Sequence, residues 1–362
     1  MLMLWIGLAG IALAFYISLM ATPLAARVAH RVGLLDVPKL HKTHARPTPL
    51  LGGSAIFAAI LGPSLLALAI ARVWAAGGIP DWLPEGIAVH VHGAAERAPM
   101  ALWILAGAFV LHVVGIVDDK AVLGPWAKLV AQAVVCTFVV VYLDIRILTV
   151  AGPAISAVLT IIWIVAITNA FNFLDNMDGL AAGVAAICAA ALLGAAATMG
   201  QLFVSGWLCL LLGSLLGFLV YNFKPAKIFM GDAGSLVIGY MMAVLSCLTT
   251  YVPAGQQVHL YSVFVPIVVL AVPIYDTVSV IYLRLKDGRN PMVGDRRHFS
   301  HRLVRRGMTI RQAVLTIYLC TAATAVAASL LPRVDSVGAV LVLAQTVAIL
   351  GIIGLLEKGA GQ

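Results

Sequence analysis

The chain has 362 residues, of which 62% are hydrophobic and only 10% are charged, and its formal net charge is +8. Soluble domains carry roughly 25% charged residues, so this composition excludes a soluble globular protein. Apolar runs of about 20 residues, enough for a helix to cross a bilayer, recur along the sequence. The two-residue alternation of barrel strands is absent. The composition therefore predicts an all-α, polytopic helical membrane protein.

Eleven membrane spans are predicted in chain order. They cover approximately residues 2–24, 50–75, 99–117, 125–145, 150–170, 179–198, 201–222, 235–252, 260–283, 312–331 and 337–356. The first is expected to be a retained anchor and not a secretory signal, because no basic residue precedes it and the first positive charge is Arg27. The five cysteines all lie in apolar runs without CxxC spacing, which favours neither a disulfide framework nor a zinc site.

The charges predict how the chain crosses the membrane. With the N-terminus outside, 19 of the 23 Lys and Arg residues fall in cytoplasmic segments, as the positive-inside rule requires. The net charge therefore reflects topology, and no nucleic-acid partner is predicted. The whole chain, 1–362, is predicted to be one membrane domain with a cytoplasmic C-terminus. Its cytoplasmic active-site loops are predicted at about 25–49, 118–124, 169–178, 222–234 and 284–311.

An acidic pair follows the third span. Adjacent carboxylates such as Asp118 and Asp119 at a helix end can hold Mg²⁺, or one of them can act as a base. The alternative is a solvated helix end.

Residues 169–179 carry Asn or Asp at every third position. If the helix continues, Asn169, Asn172, Asp175 and Asp178 lie roughly on one face. Such a stripe suits recognition of a nucleotide or a metal. The alternative is a simple cap or turn.

A glycine-rich segment, residues 229–235, opens the eighth span. Glycine allows a ligand to approach the backbone, and a helix N-terminus attracts phosphate. Asp232 in this segment is a candidate Mg²⁺ ligand. The alternative is an ordinary N-cap, for which Asp is favoured.

Two basic segments and one membrane acid complete the set. His298, His301 and Arg302 combine phosphate-binding and proton-donating side chains, although a basic loop that sets topology explains part of this charge. Lys42 and His44 suit an anionic headgroup or pyrophosphate, and a stop-transfer signal is the alternative. Asp276 lies inside the ninth span and is expected to face the bundle interior. Cations, Mg²⁺ and carboxylates gathered at one membrane face are typical of phosphoryl transfer.

In this order, the motifs resemble the polyprenyl-phosphate N-acetylhexosamine-1-phosphate transferase superfamily, glycosyltransferase family 4. The branch most similar to this sequence is that of the undecaprenyl-phosphate N-acetylglucosamine-1-phosphate transferases. The matching positions are Gly33, Leu34, Leu35, Asp36, Pro38, Lys42, Thr43, His44, Gly52, Gly53, Asp118, Asp119, Lys128, residues 169–179, Asn222, Pro225, residues 229–235, Asp276 and residues 298–303.

The resemblance implies a reaction and a site. A UDP-N-acetylhexosamine, most simply UDP-N-acetylglucosamine, would transfer its sugar-1-phosphate to undecaprenyl phosphate and release UMP. This step initiates cell-envelope polysaccharide synthesis at the cytoplasmic face of the bacterial inner membrane. Mg²⁺, with Mn²⁺ as an alternative, is the implied cofactor, membrane lipid surrounds the protein, and a homodimer is an option. The implied catalytic residues are Asp118, Asp119 and Asp232, with Asp232 as metal ligand, and the implied substrate-binding residues are Lys42, His44, Lys128, Asn172, Asp175, Asp178, Asn222, Asp276, His298, His301 and Arg302.

The sequence departs from the family pattern at two places. Ser300 stands where the family usually has the middle histidine of His-x-His-His, and Asn176 with Met177 replaces the usual Gly-hydrophobic pair. A phospho-MurNAc-pentapeptide translocase is the rival enzyme. A lipid or ion transporter is the rival of another class. The acids of a transporter should line a path across the bilayer, whereas those of this sequence are predicted to gather at one membrane face.

The charge of the lipid phosphate bears on mechanism. Its second pKa is near 6, so it is mostly a dianion at neutral pH and needs no strong base. We therefore expect Asp118 and Asp119 to position and tune the nucleophile. Direct in-line attack is favoured over an aspartyl-phosphate intermediate.

Overall fold

A computed structural model describes residues 1–37, 47–251, 260–290 and 297–358. The predictions for Lys42 and His44 lie outside these residues. Within the described chain, the all-α polytopic prediction is confirmed.

The described chain contains fourteen α-helices, three short 3₁₀ helices and one two-stranded sheet. The helices are α1 (Leu2–Val32), α2 (Gly52–Gly77), α3 (Glu85–Glu96), α4 (Ala98–Ala121), α5 (Pro125–Tyr142), α6 (Pro153–Leu174), α7 (Leu180–Thr198), α8 (Leu202–Asn222), α9 (Gly231–Leu248), α10 (Val265–Val269), α11 (Ala271–Lys286), α12 (Phe299–Arg305), α13 (Ile310–Leu330) and α14 (Ser336–Lys358). Strands β1 (Leu35–Asp36) and β2 (Thr48–Pro49) pair antiparallel. Ten helices among the described residues are long and apolar enough to cross a membrane, or eleven if one bent pair counts as a span.

The bent pair occupies the predicted ninth span. The segments Tyr261–Val269 and Ala271–Lys286 meet at 73° around Leu270. Pro266 and Pro273 flank the bend, and proline breaks the helical hydrogen-bond ladder. Asp276 on the second segment is fully buried and so faces the interior, as predicted.

Helix α9 is the centre of the bundle. All its residues from 233 to 246 are buried, and it packs against α4, α6 and α2. Two glycines make this approach possible, since a Cβ at Gly115 would lie 2.3 Å from Ala233 N and one at Gly53 would lie 2.2 Å from Gly234 N. Small residues allow helix backbones to approach closely in membranes. The first turn of α9 is therefore wedged between the end of α4 and the start of α2.

The loops contain more helix than the sequence pattern predicted. Residues 76–98 hold α3, because the prolines of this loop, Pro80 and Pro84, both precede Glu85 and leave a proline-free stretch that forms a helix in spite of Gly86 and Gly93. The basic loop 284–311 holds α12. Helix α6 ends at Leu174, so the condition for a continuous polar stripe along residues 169–178 is not met.

Candidate active site

Three charged side chains from three helices meet at one end of the bundle, which we call the site end. Lys128 Nζ at the start of α5 lies 2.8 Å from Asp118 Oδ2 near the end of α4. The same nitrogen lies 2.6 Å from Asp232 Oδ2 in the first turn of α9. All three are mostly buried, so the ion pairs are stronger than exposed ones. The sequence predicted all three residues, but not that the lysine would bridge the two acids.

Asp119 has a different task from its neighbour. Its Oδ1 accepts a hydrogen bond from Asp232 N at 2.9 Å, and its Oδ2 accepts a longer one from Ala233 N at 3.3 Å. A carboxylate at a helix N-terminus satisfies unpaired N–H groups and complements the helix dipole. Asp119 thus caps α9 from another helix. The capping alternative for Asp232 is therefore wrong, and the Asp232 carboxylate instead faces Lys128.

The backbone before Asp232 allows this cap. Gly231 has φ of 65°, a conformation that glycine adopts without strain. A Cβ at this position would lie 2.3 Å from Asp119 Oδ2. Glycine is therefore required where the chain passes the Asp119 carboxylate.

The donor atoms fit a divalent cation. Asp118 Oδ1 is buried and has no hydrogen-bond partner within the described chain. In the same residues no three His, Cys, Asp or Glu side chains stand close enough to enclose a metal by themselves. Mg²⁺ often takes one or two protein carboxylates and completes its shell with substrate phosphates and water. Asp118 and Asp232 are therefore the residues that could hold such an ion together with a phosphate ligand.

The predicted nucleotide-binding run lies beside this cluster, partly on α6 and partly on the turn to α7. Asn172 Nδ2 donates to Ser235 Oγ at 2.9 Å, which ties α6 to α9. Asp178 Oδ2 accepts from Ala226 N at 3.0 Å and pairs with Lys224 Nζ at 3.1 Å.

Asp175 follows the last residue of α6. Burial raises the pKa of its carboxyl well above its ordinary value, and the carboxylates of Asp232 and Asp119 raise it further. This accumulation of negative charge is suited to a cationic ligand.

Asn222 supports the backbone near this turn. Its Oδ1 accepts from Gly179 N at 3.0 Å, and its Nδ2 donates to Ile228 O at 2.9 Å. The side chain is buried. Its observed contacts hold the turn after Asp178 against the approach to α9, and direct substrate contact stays a prediction.

The predicted histidine loop is anchored by Asp276. His298 Nδ1 lies 2.8 Å from Asp276 Oδ2, and Phe299 N donates to Asp276 Oδ1 at 3.0 Å. The His298 ring also packs edge-on against Phe173, with ring centroids 6.0 Å apart. His301 lies on α12, half-buried. The structure thus brings the start of α12 next to the end of α6.

Three further contacts of α12 and the residue that follows it had no motif in the sequence. Arg302 Nη2 lies 2.9 Å from Glu357 Oε2 and donates to Ser279 Oγ at 2.9 Å. Arg306 Nε donates to the Glu357 carbonyl oxygen at 3.0 Å. The end of the last span therefore holds the histidine loop. The one sequence signal was an acid at the end of an otherwise uncharged apolar run.

Comparisons with known proteins identify the family of this chain. Residues 101–250, which include the Asp118, Lys128 and Asp232 cluster, match Glycosyl transferase family 4. The chain is 35% identical over 326 residues to a probable undecaprenyl-phosphate N-acetylglucosaminyl 1-phosphate transferase of Bacillus subtilis, covering 85% of this chain and 81% of the relative. It is 32% identical over 331 residues to the decaprenyl-phosphate N-acetylglucosaminephosphotransferase of Mycobacterium tuberculosis, covering 84% and 77%.

A third relative extends the similarity. The undecaprenyl-phosphate alpha-N-acetylglucosaminyl 1-phosphate transferase of Escherichia coli K12 is 29% identical over 312 residues, covering 82% of this chain and 76% of the relative. The similarity thus runs over most of each protein. The chain belongs to glycosyl transferase family 4, in its polyprenyl-phosphate N-acetylhexosamine-1-phosphate transferase branch, and is a multi-pass membrane transferase.

Proposed function

We propose that this protein transfers N-acetylglucosamine-1-phosphate from UDP-N-acetylglucosamine to undecaprenyl phosphate, giving undecaprenyl-diphosphate-N-acetylglucosamine and UMP. The observation that carries the proposal is the Lys128 ammonium between the Asp118 and Asp232 carboxylates. A phosphoryl-transfer site needs fixed cations for phosphate charge and fixed carboxylates for a metal. The names of the three relatives support the sugar and the class of lipid.

The reaction balances without a covalent enzyme intermediate. An oxygen of the lipid phosphate attacks the β-phosphorus of the donor, and the bond from that phosphorus to the bridging oxygen breaks. UMP leaves with the bonding electrons. The attacking phosphate is mostly a dianion at neutral pH, so no residue has to remove its proton. Asp118 would position it indirectly, by holding the Lys128 ammonium and the metal ion that attract it.

Mg²⁺ is the proposed cofactor. Asp118 and Asp232 would hold it, and its charge would offset that of the diphosphate during transfer. Asp119 would then act through the helix, since its carboxylate fixes the first N–H groups of α9.

We further propose that the site end faces the cytoplasm of a bacterial inner membrane and that the product starts an envelope polysaccharide. The segregation of Lys and Arg along the sequence supports this orientation. Reporter domains fused to the C-terminus test it. A reporter that works only in the cytoplasm should be active when fused to the C-terminus. Activity of a reporter that works only in the periplasm would contradict the proposed orientation.

The reaction itself is tested by Mg²⁺-dependent UMP release from purified protein. Undecaprenyl phosphate is supplied with UDP-N-acetylglucosamine, UDP-N-acetylgalactosamine or UDP-MurNAc-pentapeptide. UMP release with UDP-N-acetylglucosamine should be abolished in Asp232→Asn and Asp118→Asn and retained in Asp81→Asn, whose carboxylate is on an exposed loop. Release only with the pentapeptide donor would identify a translocase. No release with any donor, from folded protein, would refute the proposal.

A further inference from the structure

The two residues at which this chain departs from its family pattern contact each other. Ser300 on α12 and Asn176 in the turn between α6 and α7 are 124 positions apart, yet Ser300 Oγ donates to Asn176 Oδ1 at 2.6 Å. Asn176 Nδ2 donates in turn to Phe173 O at 2.8 Å, which fixes the orientation of the amide. Ser300 is completely buried. The departures are therefore one structural unit and not two independent substitutions.

Burial explains why the two residues belong together. A histidine is much larger than serine, and a fully buried serine leaves no space for it without displacing neighbours. A glycine in place of Asn176 would have no side chain to accept the serine hydroxyl. A buried hydroxyl without a partner is costly, so Ser300 requires an acceptor at this distance.

The hydrogen bond connects the predicted nucleotide-binding run to the α12 segment whose residues the family resemblance implies as substrate-binding. Asn176 lies between Asp175 and Asp178, and Ser300 lies between His298 and His301. Helix α12 is held at its start by Asp276, which accepts from Phe299 N, and at its middle by Glu357, which pairs with Arg302. The contact with Asn176 is made from the first turn of α12, by its second residue, directly to the turn that carries the acids.

We propose that Ser300 and Asn176 form a positioning pair that holds α12 against the acidic turn and thereby sets the affinity for the sugar-nucleotide donor. This inference rests on the proposed function. Neither residue is assigned contact with the reacting phosphates. The lipid phosphate is assigned to Asp118 on α4, which the pair does not contact. Loss of the pair should therefore weaken donor binding and leave lipid binding and the transfer step unchanged.

A double-mutant cycle tests the pair. Ser300→Ala, Asn176→Ala and the double variant are compared with wild type for KM of each substrate, kcat and Tm. Either single change should raise the donor KM about 2- to 10-fold, the range of one net hydrogen bond. The lipid KM and kcat should stay within about twofold of wild type. The double variant should be no worse than the worse single variant, because both changes remove the same bond.

Two variants control for packing. Ser300→Thr keeps the hydroxyl and should retain a donor KM below that of Ser300→Ala. Ser329→Ala removes an exposed hydroxyl that bonds within its own helix α13, at 2.7 Å from Val326 O, and should change no kinetic constant.

Binding of UDP-N-acetylglucosamine is measured on the same proteins by calorimetry, independently of turnover. If the wild type binds the donor but transfers nothing, the proposed function is refuted. The double-mutant cycle can then still test the pair through the calorimetric donor affinities. The inference would be overturned if both single variants kept the wild-type donor affinity, or if the two effects added in the double variant. It would also be overturned if the donor KM and the lipid KM rose in parallel while Tm fell. A wild type that does not bind the donor would overturn both.

Discussion

Replacement of Lys128 by methionine should abolish most of the activity and strengthen metal binding. Methionine keeps the length and packing of the side chain but removes the charge that lies 2.8 Å from Asp118 and 2.6 Å from Asp232. A hydrogen bond to a charged group contributes about 1.5–3 kcal/mol, and this lysine makes two. If both interactions serve the transition state, kcat/KM falls by about 10²- to 10⁴-fold. Without the lysine, the two carboxylates repel each other, so an added Mg²⁺ is attracted more strongly.

The assay is UMP release as a function of Mg²⁺ concentration, with metal affinity measured separately by calorimetry. Lys120→Met is the matched control, since it removes an exposed lysine from the end of α4 that carries Asp118. The Lys120→Met variant should have a kcat/KM and a Mg²⁺ affinity near those of wild type. Misfolding of Lys128→Met would weaken metal binding and activity together, whereas the predicted result moves them in opposite directions. A kcat/KM within about threefold of wild type would refute the electrostatic role of this lysine.

Three further predictions concern other acids of the site. Asp119→Ala should lower Tm more than Asp118→Ala by thermal unfolding in detergent, because a lost helix cap costs about 0.5–2 kcal/mol; equal losses would contradict the capping role. Because the pKa of Asp175 is raised in the folded protein, the metal-free protein should lose stability as pH rises above the ordinary pKa of 3.8, and Asp175→Asn should flatten this dependence of Tm on pH in EDTA. Glu357→Gln should raise the donor KM about tenfold with little change in the lipid KM, since it weakens the ion pair with Arg302, and an unchanged donor KM would show that α12 is held without it.

The membrane architecture could be predicted from the sequence because its signals are local. Each span is a run of apolar residues, and hydropathy along one window is sufficient to find it. Even the broken ninth span left a signal in Pro266 and Pro273. Helix α3 was missed because proline and glycine early in the loop masked a short helix-compatible stretch after them.

The chemistry of the site was only partly predictable, because its contacts join distant parts of the chain. Sequence patterns indicated Asp118 and Asp232, and the family resemblance implied Lys128, but their meeting depends on how three helices pack. The bond between Ser300 and Asn176 is of the same kind. Each residue alone was a departure from a pattern, and only the structure shows them as donor and acceptor.

The acidic pair shows why spacing alone could not assign roles. Adjacent residues on a helix point about 100° apart, so two neighbouring carboxylates can face different partners. At the end of α4, one direction faces Lys128 and the other faces the N-terminus of α9. Asp119 is consequently committed to the backbone that carries Asp232, while Asp118 keeps a buried oxygen without a partner in the described chain. A motif that looks like two equivalent acids therefore contains one acid that builds the site and one that remains available to a ligand.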